Sequence, residues 1–265
     1  MRSSDQRILT THVGSLPRNP KLRDLLVRQE RGEAIDAAEL EREVEAAVRR
    51  AVRKQMEVGI DIGNDGEQPR VGFSTYVAQR MRGFGGEGRR PQARDLSDFP
   101  DYAAMLEFRR RAAGRITTTP QAVGDVEYAD LSAAAKACDL FLRCAEALPQ
   151  PFTECFMTAA SPGIIATTML NAHYDTYERY VFALAAQMRK EYELIHARGL
   201  LLQLDCPDLA MERTRLFQQI RGDVNARHDR AGRPCRAEVV VDRLDDRDDE
   251  AVMGTLAPDR FAAGA

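Results

Sequence analysis

The sequence has no CxxC pair, no His-x-Cys or HExxH spacing, no P-loop and no apolar run near the roughly 18 residues a membrane span needs. Its opening, "MRSSDQRILTTHVG", has no apolar core of signal-peptide type. Its five cysteines (Cys138, Cys144, Cys155, Cys206, Cys235) are odd in number, so reduced thiols in the cytoplasm are expected rather than a disulfide frame. Lys and Arg number 38 against 41 Asp and Glu, a formal charge of -3, which gives no electrostatic reason to expect nucleic acid or an anionic membrane as a partner. His12, His173, His196 and His228 are scattered and no Ser-His-Asp arrangement is evident. His196 falls late in a helical pattern, and only His12, near a presumed strand end, remains a site candidate.

What is present is an alternation. With 265 residues and 44% hydrophobic content the chain can build one or two cores. "RILTTHVG" (7–14) reads as a short strand. Two helical patterns follow over 21–58; the second starts near Asp36, with apolar positions at Leu40, Val44, Ala47, Val48, Ala51, Val52 and Met56, and stops at Gly59. "IDIGNDGE" (60–67) reads as strand into loop, and 82–115, rich in Gly, Arg and Pro, as an excursion. An extended segment over 115–123, a helix over 130–148, a strand over 151–163 and a strong helix over 174–199 lead to "LLLQLD". This pattern predicts parallel α/β architecture. A Rossmann-type sheet would favour a glycine fingerprint on its first turn, and a (β/α)8 barrel polar residues at several strand ends. Ser15, Glu67 and Asp205 each follow a strand-like run, which fits the barrel. About four or five strand–helix units precede Arg221, where a closed barrel needs eight. The expected division is a partial barrel domain over 1–220 and an irregular, poorly ordered tail over 221–265, with its charge run "DRLDDRDDE".

"GFGGEG" (83–88) matches G-x-G-x-x-G, but it follows "RMR" and leads to "RRPQAR", so it reads as a flexible loop. "RGD" (221–223) reads as a chance tripeptide. In "THVGSLPR" (11–18), Gly14 lets a ligand approach the backbone, and Ser15 offers a hydroxyl and an N–H suited to a carboxylate; an ordinary capped turn is the alternative. "NDGEQPR" (64–70) puts Asp65 and Glu67 after a strand, where a carboxylate could hold an ammonium or act as a base, or simply line a solvated turn. In "QLDCPD" (203–208), Asp205 ends an apolar strand and needs a partner to offset its desolvation. Cys206 reads as a metal thiolate or a small buried hydrophobe, and Asp208 as a helix cap.

Together "TTHVGSLPR" (10–18), "VGIDIGNDGEQPR" (58–70), "FMTAASPGIIA" (156–166) and "LLQLDCPDLAM" (201–211) resemble, in order and spacing, the cobalamin-independent methionine synthase family over about residues 8–212. The resemblance implies a (β/α)8 barrel and methyl transfer from a folate donor to the thiol of homocysteine, activated as a zinc thiolate. The amino-acid end would sit near Ser15, Glu67 and Asp205, with the Gly14–Ser15 backbone on its carboxylate and the two acids on its ammonium. The family's zinc ligands are a His-x-Cys pair, an acid and a further Cys on later strands. No position here matches them; His228 and Cys235 are not assigned as ligands, so no metal ligand is named. The amino-acid half of a site is thus expected without the zinc half, and the change of character near 213–221 suggests truncation or a shifted reading frame. Two alternatives follow: a non-catalytic remnant that associates through exposed barrel edges, or a related barrel alkylating another thiol such as coenzyme M.

Overall fold

The computed structural model describes residues 4, 6–90, 96, 98–112 and 119–212. The expected boundary at 220 and the tail beyond it, with His228 and Cys235, lie outside the described residues. In chain order the elements are α1 (Pro20–Glu30), α2 (Ala37–Glu57), β1 (Ile62–Gly63), α3 (Val77–Arg80), β2 (Met81–Gly88), α4 (Pro100–Ala112), β3 (Thr119–Tyr128), α5 (Ser132–Glu146), β4 (Glu154–Ala160), α6 (Pro162–Thr168), α7 (Tyr177–Ala197), β5 (Leu201–Asp205) and α8 (Asp208–Met211). They form two compact units. Of the described residues, one holds those up to 82 with 126–161 and 186–205, and the other those within 83–125, 162–185 and 206–212.

The first unit carries the parallel sheet. α1 begins where Asn19 accepts the Leu22 N–H, with Pro20 in the first helical position, and α2 where Asp36 accepts the N–H groups of Ala38 and Glu39. The α2 stripe Leu40, Ala47, Val48, Ala51 and Val52 is buried as its spacing predicts, and Leu22, Leu25 and Leu26 of α1 join Leu40 and Ala47 in one cluster. Parallel strands lie in the order β1-β4-β5, with Gly63 beside Cys155 and Ala160 beside Asp205. Phe156, Met157, Ala159 and Ala160 of β4 are buried, as a strand covered on both faces requires.

The strand expected over 7–14 is reduced to a parallel bridge between Thr11 and Ile62. A carboxylate replaces the ladder. Asp61 accepts from Arg7 Nη1 (2.8 Å), from Thr10 N–H (2.8 Å) and from Thr10 Oγ1 (3.0 Å). The Arg7 guanidinium, and then Thr10, hold the Asp61 carboxyl well below the usual range. Four parallel segments of this unit therefore end at Thr11, Gly63, Ala160 and Asp205. Among the described residues this run does not close.

In the second unit β2 and β3 pair, and here the "GFGGEG" expectation is corrected: these residues form strand, not flexible loop. A Cβ on Gly83 would lie 2.4 Å from the Asp125 carbonyl oxygen, so the missing side chains admit a partner backbone rather than a phosphate. α6 is buried along its whole length. Asp208 is not the cap of α8; Pro207 holds that position and Asp208 is buried as the first helical residue. A Cβ on Gly163 would sit 2.1 Å from Asp208 Oδ2. Gly163→Ala is accordingly expected to destabilise by about 1–3 kcal/mol, seen as a lowered urea midpoint, because the new methyl would overlap the buried Asp208 carboxylate. An unchanged midpoint would show that α6 and α8 shift at no cost. No helix among the described residues is long and apolar enough to cross a membrane.

Candidate functional site

The loop after β1, residues 64–70, is shaped from both sides. Gln55, a polar residue on the buried face of α2, donates to the Asn64 carbonyl (2.8 Å) and accepts the Asn64 N–H (3.2 Å). Asn64 Nδ2 reaches the His12 carbonyl at 2.6 Å. Asn64 Oδ1 then accepts the Gly66 N–H (2.7 Å) and Asp65 Oδ1 the Glu67 N–H (2.8 Å), two successive turns closed by side chains. They set Gly66 at φ +64° and Glu67 at φ +55°; Glu67 is the one non-glycine residue with positive φ among the described residues. That conformation costs an L-residue about 1–2 kcal/mol.

The segment after Thr11 closes over this loop. Leu16 N–H donates to the Gly66 carbonyl (3.0 Å), and Gln68 Nε2 to the Leu16 carbonyl (2.8 Å). Arg18 crosses to the carbonyls of Glu67, Gln68 (3.2 Å) and Arg70 (2.6 Å). Burial lowers the Arg18 pKa, against the opposing fields of Glu67 and Asp65. Ser15 Oγ donates to Glu67 Oε2 at 2.5 Å. Ser15 and Glu67, far apart in sequence, are thus brought together. Gly14 has φ +90° and open space at its Cβ position. His12 turns inward, its Nε2 2.9 Å from the Gly14 carbonyl, so the Nε2–H tautomer fixes that turn. Asp205 ends β5, accepting from Gln203 Nε2 (3.0 Å) and, through its carbonyl, from Ser161 N–H (3.1 Å). No hydrogen bond among the described residues joins Asp205 to Ser15 or Glu67.

Several polar atoms of the loop remain unsatisfied. Asp65 Oδ2, Glu67 Oε1, and Arg70 Nε and Nη1 are buried with no hydrogen-bond partner. Behind them is a charged cluster that the sequence reading missed. Tyr76 lies between two guanidiniums, Arg70 at 4.5 Å and Arg80 at 4.6 Å from its ring centre. Its hydroxyl donates to Glu191 Oε1 at 2.8 Å, while Arg80 Nη1 (3.1 Å) and the Tyr128 hydroxyl meet Glu191 Oε2. Burial opposes the Glu191 charge, but Arg80, Arg70 and the two phenols outweigh it and hold its pKa below the ordinary value. Burial pushes the phenols of Tyr76 and Tyr128 up, so both stay protonated donors. A signal existed: Glu191 shares the buried stripe of α7 with Leu184, Met188 and Ile195, and Gln55 that of α2.

The described residues do not fit a metal. No three His, Cys, Asp or Glu side chains among them gather closely enough to hold one. Cys138 and Cys155 have thiols pushed up to about 11 by burial.

Residues 8–90 match the family described as the catalytic domain of cobalamin-independent synthases. The match spans about the first third of the chain, which over those residues resembles the cobalamin-independent synthases. His12, Gly14, Ser15 and Glu67 lie inside the stretch shared with the family; Asp205 lies outside it. A 5-methyltetrahydropteroyltriglutamate–homocysteine methyltransferase of Synechococcus sp. (strain JA-2-3B'a(2-13)) is 36% identical over 75 residues, 28% of this chain and 10% of that protein. A B12-independent methionine synthase from Shewanella sp. W3-18-1, solved in complex with selenomethionine, superposes with TM-score 0.54 at 21% identity, covering 86% of this chain and 59% of that one. At that identity the likeness speaks for the fold, which is α/β of the (β/α)8-barrel type.

Proposed function

We propose that this chain carries the amino-acid-binding part of a cytoplasmic methyltransferase of the methionine synthase type, which moves a methyl group from a folate donor to the thiol of homocysteine. The observation that carries the reading is the pairing of Ser15 with a strained, buried Glu67 whose Oε1 is unmatched. A backbone held in a costly conformation to present a carboxylate suits an ammonium ligand. Asp205, at the end of β5, which β4 separates from β1 in the sheet, is assigned as a second acid, and the Gly14–Ser15 backbone as a carboxylate contact. His12 positions that turn. The role left to these residues is to bind and orient the amino acid so that its thiol points away from the loop. No step is derived through zinc, because the described residues offer no ligand set for it.

A second reading is binding without transfer. It is favoured by the described residues, among which no three His, Cys, Asp or Glu side chains gather closely enough to hold a metal. The two readings separate in one experiment: L-homocysteine titration by calorimetry, zinc analysis of natively purified protein, and methyl transfer from 5-methyltetrahydrofolate. The proposal expects saturable homocysteine binding, with transfer where zinc is near one per chain. Binding with neither zinc nor transfer supports the second reading, and absence of binding sinks both.

A further inference from the structure

Buried polar groups are almost always satisfied, so each unmatched atom of the 64–70 loop asks for an explanation. The hydrogen bonds of these groups do not close internally. Glu191 is already engaged on both oxygens, by Tyr76 on one and by Tyr128 and Arg80 on the other. Arg70, 3% exposed, has its plane held against Tyr76 with Nε and Nη1 lacking acceptors. Arg18 gives its N–H groups to three carbonyls, and Asp65 (1% exposed) and Glu67 (3% exposed) keep Oδ2 and Oε1 unmatched. Asp65 and Arg70 act on each other through space, yet no ion pair closes between them. One loop thus offers unmatched carboxylate oxygens and unmatched guanidinium N–H groups together. A zwitterionic amino-acid head presents the complement of both: an ammonium that only donates and a carboxylate that only accepts.

We propose that Arg70 receives the α-carboxylate of the amino acid and that Asp65 joins Glu67 around its ammonium. This rests on the amino-acid-binding reading above and adds two specificity-determining residues to it. Discrimination follows from the same burial: a ligand lacking either charge leaves a buried group unmatched again.

The test compares three thiols by calorimetry on the full chain: L-homocysteine, its decarboxylated analogue 3-aminopropanethiol and its deaminated analogue 4-mercaptobutanoate. Wild type is expected to bind homocysteine at least tenfold tighter than either analogue. Arg70→Lys, which keeps charge and most of the packing, should lose the preference over 3-aminopropanethiol while its affinity for 3-aminopropanethiol stays unchanged. Asp65→Asn should lose the preference over 4-mercaptobutanoate. A variant that keeps its preference, or weakens homocysteine and analogue equally, overturns the inference and leaves the amino-acid reading standing. Wild type binding none of the three overturns that reading itself. Should Arg70→Lys not fold, the Asp65→Asn arm decides alone.

Discussion

Glu191→Gln is expected to destabilise the protein by about 3–5 kcal/mol, the largest effect of any single substitution considered. The carboxylate is 1% exposed and Arg80 is 8% exposed, so little water is available to replace the lost charge. The substitution keeps side-chain volume, which separates electrostatics from packing. It leaves Arg70 and Arg80 around a neutral amide and gives Tyr76 and Tyr128 a poorer acceptor. The sign of the pH effect follows from the direction of the shift. The folded-state pKa of Glu191 lies below its ordinary value of 4.5, so its contribution is fully present above about that pH and fades as pH falls below it. Wild-type stability should therefore decline below about pH 4.5, and the Gln variant should lack that part of the decline. Urea unfolding at pH 7 and at pH 4 measures both. A variant within about 0.5 kcal/mol of wild type at pH 7 would show that the cluster gains nothing net from its anion.

Glu67→Gly is expected to have the opposite profile: little change in stability and a loss of homocysteine affinity of about thirtyfold or more. Glycine accepts φ +55° without the Cβ penalty, which offsets the lost Ser15 contact and the added freedom of the unfolded chain. Stability should stay within about 1 kcal/mol of wild type. Binding should not, because removing one partner of a buried charge-assisted contact costs about 2–5 kcal/mol, and 1.4 kcal/mol is a factor of ten. Thermal unfolding and calorimetric titration of the same sample read the two quantities. A variant that binds as well as wild type would mean that the strain at residue 67 serves the fold alone.

The two variants also separate what the sequence made legible from what it did not. Asp205 could be read as a strand end because it closes an apolar run, and Glu67 as a loop residue because Asn, Asp and Gly follow β1, signals that are local. The α2 stripe and the N-cap at Asp36 were legible for the same reason. The pairing of Ser15 with Glu67 is not local, and neither is the reach of Arg18 across to three carbonyls of the loop. Spacing cannot show which turn folds over which. The β2–β3 pair was misjudged because glycine signals both looseness and close backbone approach, and only the partner strand decides between them. Glu191 was overlooked although a carboxylate in the stripe Leu184, Met188, Ile195 breaks the apolar pattern. Its meaning depends on two arginines and two tyrosines supplied from elsewhere in the chain.

That dependence sets an order of assembly during synthesis. Nearly everything that shapes the 64–70 loop — His12, Ser15, Leu16, Arg18 and Gln55 — leaves the ribosome before it. Tyr76 follows at once, but its acceptor Glu191 comes 115 positions later. At the ordinary pace of translation that is a wait of roughly 6–23 s. Throughout it, the nascent chain holds Arg80 and the Tyr76 and Tyr128 hydroxyls without the carboxylate they share in the folded protein, so this part of the first unit cannot close until α7 is made.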